Sequence, residues 1–205
     1  YFNNGGTRER PQLKTLDNRT IVAPATAVGR AGISVIRISG CSAKKISESM
    51  CGPLNEVSRL KKCTIKSSAG SILDVGMVVF FQSPNSYTGE DLVEFHCHGN
   101  PGIVNLIIDE TLKLGAVIAE PGEFTKTAFL NNKIDLAQAE SVADLISAQS
   151  KSAIIAANSS LTGEFSKEIN LLIDAILKAR IFIEANIDFP EDDLDKVSLD
   201  SVDLD

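Results

Sequence analysis

From Ile134 to Phe189 the chain carries one glycine, Gly163, and no proline. A stretch this poor in backbone breakers is built for helix. Ile154, Leu161, Phe165, Ile169, Leu172, Ile173, Ile176, Leu177 and Ile183 recur there at helical spacing. One helix much longer than about 25 residues is atypical of a compact domain. The expectation is two helices broken near Ala148–Ser152, packed as a hairpin or partial bundle. Their apolar stripes call for more partners than two helices supply. "DFPEDDLDKVSLDSVDLD" then closes the chain as acidic, linker-like sequence.

Upstream of Lys133 the pattern is different. "TIVAPAT" (Thr20–Thr26), "GISVIRIS" (Gly32–Ser39), "DVGMVVFFQ" (Asp74–Gln82) and "LVEFHCH" (Leu92–His98) read as strands. A polar helix is predicted at Ala43–Met50. A second is predicted on "NPGIVNLIIDETLKLG", where Pro101 suits the first turn and Gly115 the stop. "AVIAE" reads as a short strand. "PGEFTKTAFLNN" reads as a loop entering a short helix, with Glu123 at its positive end. Alternating strands and helices ahead of an all-helical stretch predict an α/β (α+β) chain: a small mixed-sheet domain, about residues 18–133, then an incomplete helical domain, about 134–205. The leading "YFNNGGTRERPQLK" is polar and lacks an apolar signal core, so residues 1–17 read as a floppy arm or cloning remnant.

Bulk numbers narrow the function. The net charge is −7, with no evident basic stripe, so any nucleic-acid partner is expected to be gripped mostly by other parts of a larger assembly. No apolar run approaches the roughly 18 residues that span a bilayer. The four cysteines, Cys41, Cys51, Cys63 and Cys97, form no C-x-x-C pair and read as reduced thiols. The P-loop pattern G-x-x-x-x-G-K-[ST] does not occur in these 205 residues.

Chemistry concentrates in "GEDLVEFHCHGNPG" (Gly89–Gly102), which holds both histidines. Strand alternation puts Val93, Phe95 and Cys97 on one face and Leu92, Glu94, His96 and His98 on the other. Glu94, His96 and His98 are numerically adequate for a catalytic metal, although H-x-H is a common chance pattern. Glu94 alone says more. A carboxylate in an apolar strand needs a partner. That partner is either a cationic side chain or a ligand offering two adjacent N–H donors, as pterins and guanines do. Arg37 sits equally oddly within "SVIRIS", either as a rim residue with a solvated head or as an anion clamp. Lys133, in "LNNKID", is unremarkable in isolation.

Together, "TIVAPATAVGRAGISVIRISG", "NSYTGEDLVEFHCHGNPG", "PGEFTKTAFLNNKIDLAQAESVADLISA" and "IEANIDFPEDD" resemble the MnmE (TrmE) family of tRNA-modification GTPases, from about Thr20 to Asp193. The resemblance implies an N-terminal domain like the folate-binding fold of the glycine-cleavage aminomethyltransferase, which also pairs two subunits. It implies that Arg37, Glu94 and Lys133 contact a tetrahydrofolate derivative, 5-formyl- or 5,10-methylene-tetrahydrofolate. Glu94 would answer the pterin's paired donors, and Arg37 and Lys133 would hold polar or anionic parts. It implies a homodimer working with the flavoprotein MnmG, to which FAD and NADH belong, on carbon 5 of a wobble uridine in tRNA. GTP, magnesium and potassium belong to the full-length family and to no residue of this chain. The expected setting is the bacterial cytoplasm, with the mitochondrial matrix as alternative. Competing readings are a dimerisation scaffold without ligand and a metal-dependent enzyme using Glu94, His96 and His98.

Overall fold

A computed structural model describes residues 19–188. They divide into two compact units, one ending at Asp135 and one beginning at Leu136.

The first unit is a six-stranded mixed sheet. Its strands are β1 (Ile21–Pro24), β2 (Ala31–Ser39), β3 (Lys61–Lys66), β4 (Ile72–Phe81), β5 (Leu92–Gly99) and β6 (Val117–Ile118), in the order β3-β4-β5-β2-β1-β6. Neighbours run antiparallel except β1 and β6, which run parallel. β2 and β5 therefore lie at the centre. Arg37 and Glu94 are interior, not at an edge.

Helices α1 (Ala43–Cys51) and α2 (Pro101–Lys113) pack on one face of this sheet. They are held by period-two alternation: Ile36, Ile38, Val93 and Phe95 point under them and are fully buried, together with Ile107 of α2 and Met50 of α1. Burying each such side chain contributes about 1.5–3 kcal/mol. Asn100 starts α2, its side chain accepting a hydrogen bond from the N–H of Gly102 at 2.8 Å. Past α2's end, Gly115 takes φ +102°, as expected of a glycine stop. The opposite sheet face receives the loop of residues 82–91 and the short helix α3 (Glu123–Leu130). Glu123, in the first turn of α3, accepts from the N–H of Glu120 at 2.7 Å.

β3 was not foreseen. "KKCTIK" holds three lysines in six residues, and only Cys63 and Ile65 turn inward to mark it as a strand.

The second unit holds three described helices, α4 (Leu136–Ser147), α5 (Lys151–Leu161) and α6 (Glu164–Asp188). The expected break near Ala148–Ser152 is there, fixed by Ser150, whose hydroxyl accepts from the N–H of Ala153 at 3.2 Å. The two-helix expectation misses a second break. Gly163 at φ +82° follows Thr162 at the end of α5 and divides the long helical run in two. Gln138 Nε2 donates to the Leu161 carbonyl at 2.9 Å, tying α4 to the end of α5. No helix among the described residues is long and apolar enough to cross a membrane.

Candidate functional site

On the sheet face away from α1 and α2, register sets the layout. Ala23, Arg37, Glu94 and Val79 stand in one cross-strand row, and Val35, His96 and Met77 in the next. Arg37 Nε donates to Glu94 Oε1 at 2.9 Å, and a terminal guanidinium nitrogen lies 2.8 Å from the same oxygen. The two side chains are 24% and 16% exposed, so the pair is shielded but not sealed. Directly opposed strand positions make it intrinsic to the β2–β5 pairing.

Two aromatic rings bracket the guanidinium. Its central carbon lies 5.1 Å from the Tyr87 ring centroid and 5.5 Å from that of Phe124. Tyr87 comes from the 82–91 loop and Phe124 from α3. Their elements are joined where the Tyr87 hydroxyl and Thr125 Oγ1 share a hydrogen bond of 2.9 Å. Sequence reasoning does not single out these two side chains, although "PGEFTKTAFLNN" reads as a loop entering a short helix.

Glu94 Oε2 is not taken up by Arg37. It faces His96 Nε2 at 3.6 Å, too long for a direct hydrogen bond. The His96 nitrogen is buried and has no hydrogen-bond partner among the described residues. Buried polar atoms without partners are few in folded proteins and call for an explanation. An acceptor oxygen beside an unmatched imidazole nitrogen, on a face flanked by flat rings, suits a planar ligand rich in N–H donors and acceptors. The residues present are thus compatible with a reduced pteridine.

Lys133 stands apart from this pair. Its Nζ donates to the Pro84 carbonyl at 2.9 Å, and its stem lies along Gly89. Asn131 Nδ2 donates to the Thr88 carbonyl at 2.7 Å. The segment after α3 thereby grips the 82–91 loop by its backbone. Within that loop, Thr88 is fully buried and bonds the hydroxyl of Ser39 at 2.7 Å. Ser39 also donates to Glu90 at 2.9 Å. Burial pushes the Glu90 carboxyl up, Ser39 pulls it back, and the charge of Glu123 adds to the rise.

The three residues of the metal reading do not converge. His98 Nδ1 sits 2.8 Å from Asp74, whose carboxylate also accepts from the His98 backbone N–H at 2.8 Å. Burial pushes the Asp74 carboxyl up, but these bonds and the N–H of Val75 outweigh it and hold it below the usual carboxylate range. Glu94 is committed to Arg37 on one side. Among the described residues no three His, Cys, Asp or Glu side chains are grouped to hold a metal ion.

Comparison with known proteins follows the same division. A family described as "GTP-binding protein TrmE N-terminus" matches residues 20–133, and one described as "MnmE helical domain" matches residues 136–205. The chain is 51% identical over 175 residues to a "tRNA modification GTPase MnmE" of Francisella philomiragia, covering 85% of this chain and 39% of that protein. It is 46% identical over 179 residues to the like-named protein of Nitrosomonas eutropha, covering 87% and 40%. For that of Coxiella burnetii the figures are 49% over 176 residues, covering 86% and 39%. The chain spans about two fifths of the length of these curated relatives.

Proposed function

Since this chain belongs to the MnmE (TrmE) family of tRNA-modification GTPases, we propose that it binds the tetrahydrofolate one-carbon donor for wobble-uridine modification. The binding surface is the sheet face carrying Arg37, Glu94 and His96, beneath Tyr87 and Phe124. One observation carries this reading: Glu94 is oriented by Arg37 through one oxygen while the other stays beside an unmatched, buried His96 nitrogen. A carboxylate held in that way presents its second oxygen, already oriented, to an N–H donor of a ligand. Lys133 enters the site by leaving Pro84 for an anionic part of the folate.

Within the same proposal the first unit, to about residue 133, pairs two subunits. The helical unit from about 134 is the first part of a helical domain, and GTP hydrolysis with magnesium and potassium belongs to the full-length protein and to no residue of this chain. MnmG is the flavoprotein partner, tRNA is the substrate of the assembly, and the bacterial cytoplasm is its setting.

A ligand-free scaffold is the second reading. It is favoured by the same ion pair, because Arg37 already neutralises Glu94, and by Lys133 being engaged on Pro84. Isothermal titration with 5-formyl-tetrahydrofolate separates the two. Heat that is lost in Glu94→Ala supports the folate reading. Absence of heat at millimolar ligand supports the scaffold. A monomer in light scattering at tens of micromolar protein would overturn subunit pairing by this chain.

A further inference from the structure

Arg37 takes up Oε1 of Glu94 with two nitrogens, which leaves one carboxylate oxygen, Oε2, to a ligand. A ligand edge with two adjacent N–H donors therefore needs a second acceptor. The atom facing Oε2 is His96 Nε2, 3.6 Å away. The His96 side chain as a whole is 29% exposed, yet this nitrogen is buried and has no hydrogen-bond partner among the described residues. The spacing is too long for the two atoms to bond each other. It is short enough for both to be met from one ligand edge, since two neighbouring donors about 2.9 Å from their acceptors splay slightly onto them.

We propose, on the basis of the folate reading, that His96 is the second recognising residue of that site. Neutral and with its proton on Nδ1, it accepts one N–H of the ligand at Nε2 while Glu94 Oε2 accepts the other. The edge so read is a ring N–H next to an exocyclic amine, as a reduced pteridine presents. A ring with a carbonyl beside its N–H, as in uracil, sets an oxygen against one of the two acceptors and is rejected. The arrangement also gives the orphan nitrogen a partner, which is the ligand itself.

Protonation of the imidazole reverses the pattern. Nε2 becomes a donor that closes on Oε2, and neither atom is left to accept from a ligand. Glu94 is the charged group facing this nitrogen, with Arg37 beyond it on the other oxygen. The cross-strand neighbours of His96 are Val35 of β2 and Met77 of β4, which do not titrate. His98, two residues along β5, is held by Asp74, and the Tyr87 hydroxyl by Thr125.

The test is isothermal titration of the 205-residue chain with 5-formyl-tetrahydrofolate in the parent, Glu94→Ala and His96→Leu, with thermal midpoints taken on the same samples. His96→Leu should bind at least about tenfold more weakly than the parent, because one ligand donor loses its acceptor. Its thermal midpoint should match or exceed the parent's, because leucine removes an unmatched buried nitrogen. Parent affinity should also fall between about pH 8 and about pH 5.5, the range in which imidazoles ordinarily take up a proton, and His96→Leu should not follow that fall. Heat lost in Glu94→Ala but parent affinity kept in His96→Leu overturns the role of His96 and leaves the folate reading standing. No heat in the parent overturns both. If His96→Leu does not fold, the parent's pH profile decides, and an affinity that stays level across that range overturns the proposal.

Discussion

Arg37 and Glu94 are direct cross-strand partners at the centre of the sheet, and both hydrogen-bonding nitrogens of Arg37 converge on one oxygen of Glu94. That asymmetry makes the pair both a structural element and an unfinished site. Breaking a shielded charge pair leaves the remaining partner uncompensated, and the cost lies between that of exposed and buried pairs, about 1–3 kcal/mol. Arg37→Ala and Glu94→Ala should each lower stability by that amount. The double variant should lose less than the sum, with a coupling of about 1 kcal/mol. The chain has no tryptophan, and Tyr87 sits on the guanidinium, so tyrosine emission during urea unfolding follows the first unit. Strictly additive losses would show that the pair is not coupled.

Helix α2 gives a sharper contrast between two residues with the same sequence signature. Asn100 and Ser42 both precede helices as capping types. Only Asn100 makes the capping bond, to the N–H of Gly102; the Ser42 side chain makes none. Asn100→Ala should therefore cost about 1 kcal/mol. Ser42→Ala should fall within about 0.5 kcal/mol of the parent. Equal losses in urea midpoint for the two would refute the assignment.

The same contrast marks what could be read from the sequence. Strand alternation in "LVEFHCH" put Glu94 and His96 on one face, Pro101 and Gly115 bounded α2, and the length of the helical run called for the break before α5. These are local signals. Glu94 and Arg37 each stood out as a charge in an apolar run, but nothing local said that they would meet. Their encounter depends on β2–β5 register across 57 residues. Tyr87 and Phe124 lay in turn-rich stretches with no periodicity, so their convergence on Arg37 was not legible. β3 was hidden because an edge strand with lysines facing water has a weak apolar alternation. Gly163 was noticed as a lone glycine, yet glycine inside a helical pattern is tolerated often enough that it did not read as a break.

Gly40, linking β2 to α1, should reject any side chain. Its φ is +132°, and an added Cβ would sit 2.6 Å from the Arg19 carbonyl oxygen and 2.7 Å from Thr20 Cα. Both obstacles are backbone, which cannot rotate aside. Gly40→Ala combines backbone strain with overpacking and should cost at least ~2 kcal/mol. Gly115, with φ +102° but no atom within 4 Å of a built Cβ, carries the strain alone. Gly115→Ala should therefore lower the thermal midpoint less than Gly40→Ala. The reverse order would show that space at Gly40 is not the limiting factor.

Acid should loosen the β3–β4 turn through a single carboxylate. Glu110 of α2 is 3% exposed, and its Oε1 accepts from the backbone N–H of Ser68 at 2.6 Å, in the turn between β3 and β4. Ser68, by its hydroxyl first and its N–H next, holds the Glu110 carboxyl below its ordinary value of 4.5, and Lys113 adds to the effect. A carboxyl depressed in the folded state binds fewer protons folded than unfolded. Its contribution is complete above about 4.5 and disappears as pH falls through the lower folded value. Asp74, also depressed, acts in the same sense, while Glu90, raised mainly by burial, acts against it. Glu110→Gln keeps the shape and an acceptor oxygen but cannot titrate. Its stability should vary less than the parent's between pH 5 and pH 3, both falling near about the carboxylate range. At neutral pH it should be less stable than the parent, because the charge-assisted bond is lost. Urea midpoints followed by tyrosine emission across that window read the difference directly, and superimposable pH profiles for parent and variant would assign the acid sensitivity to other carboxylates.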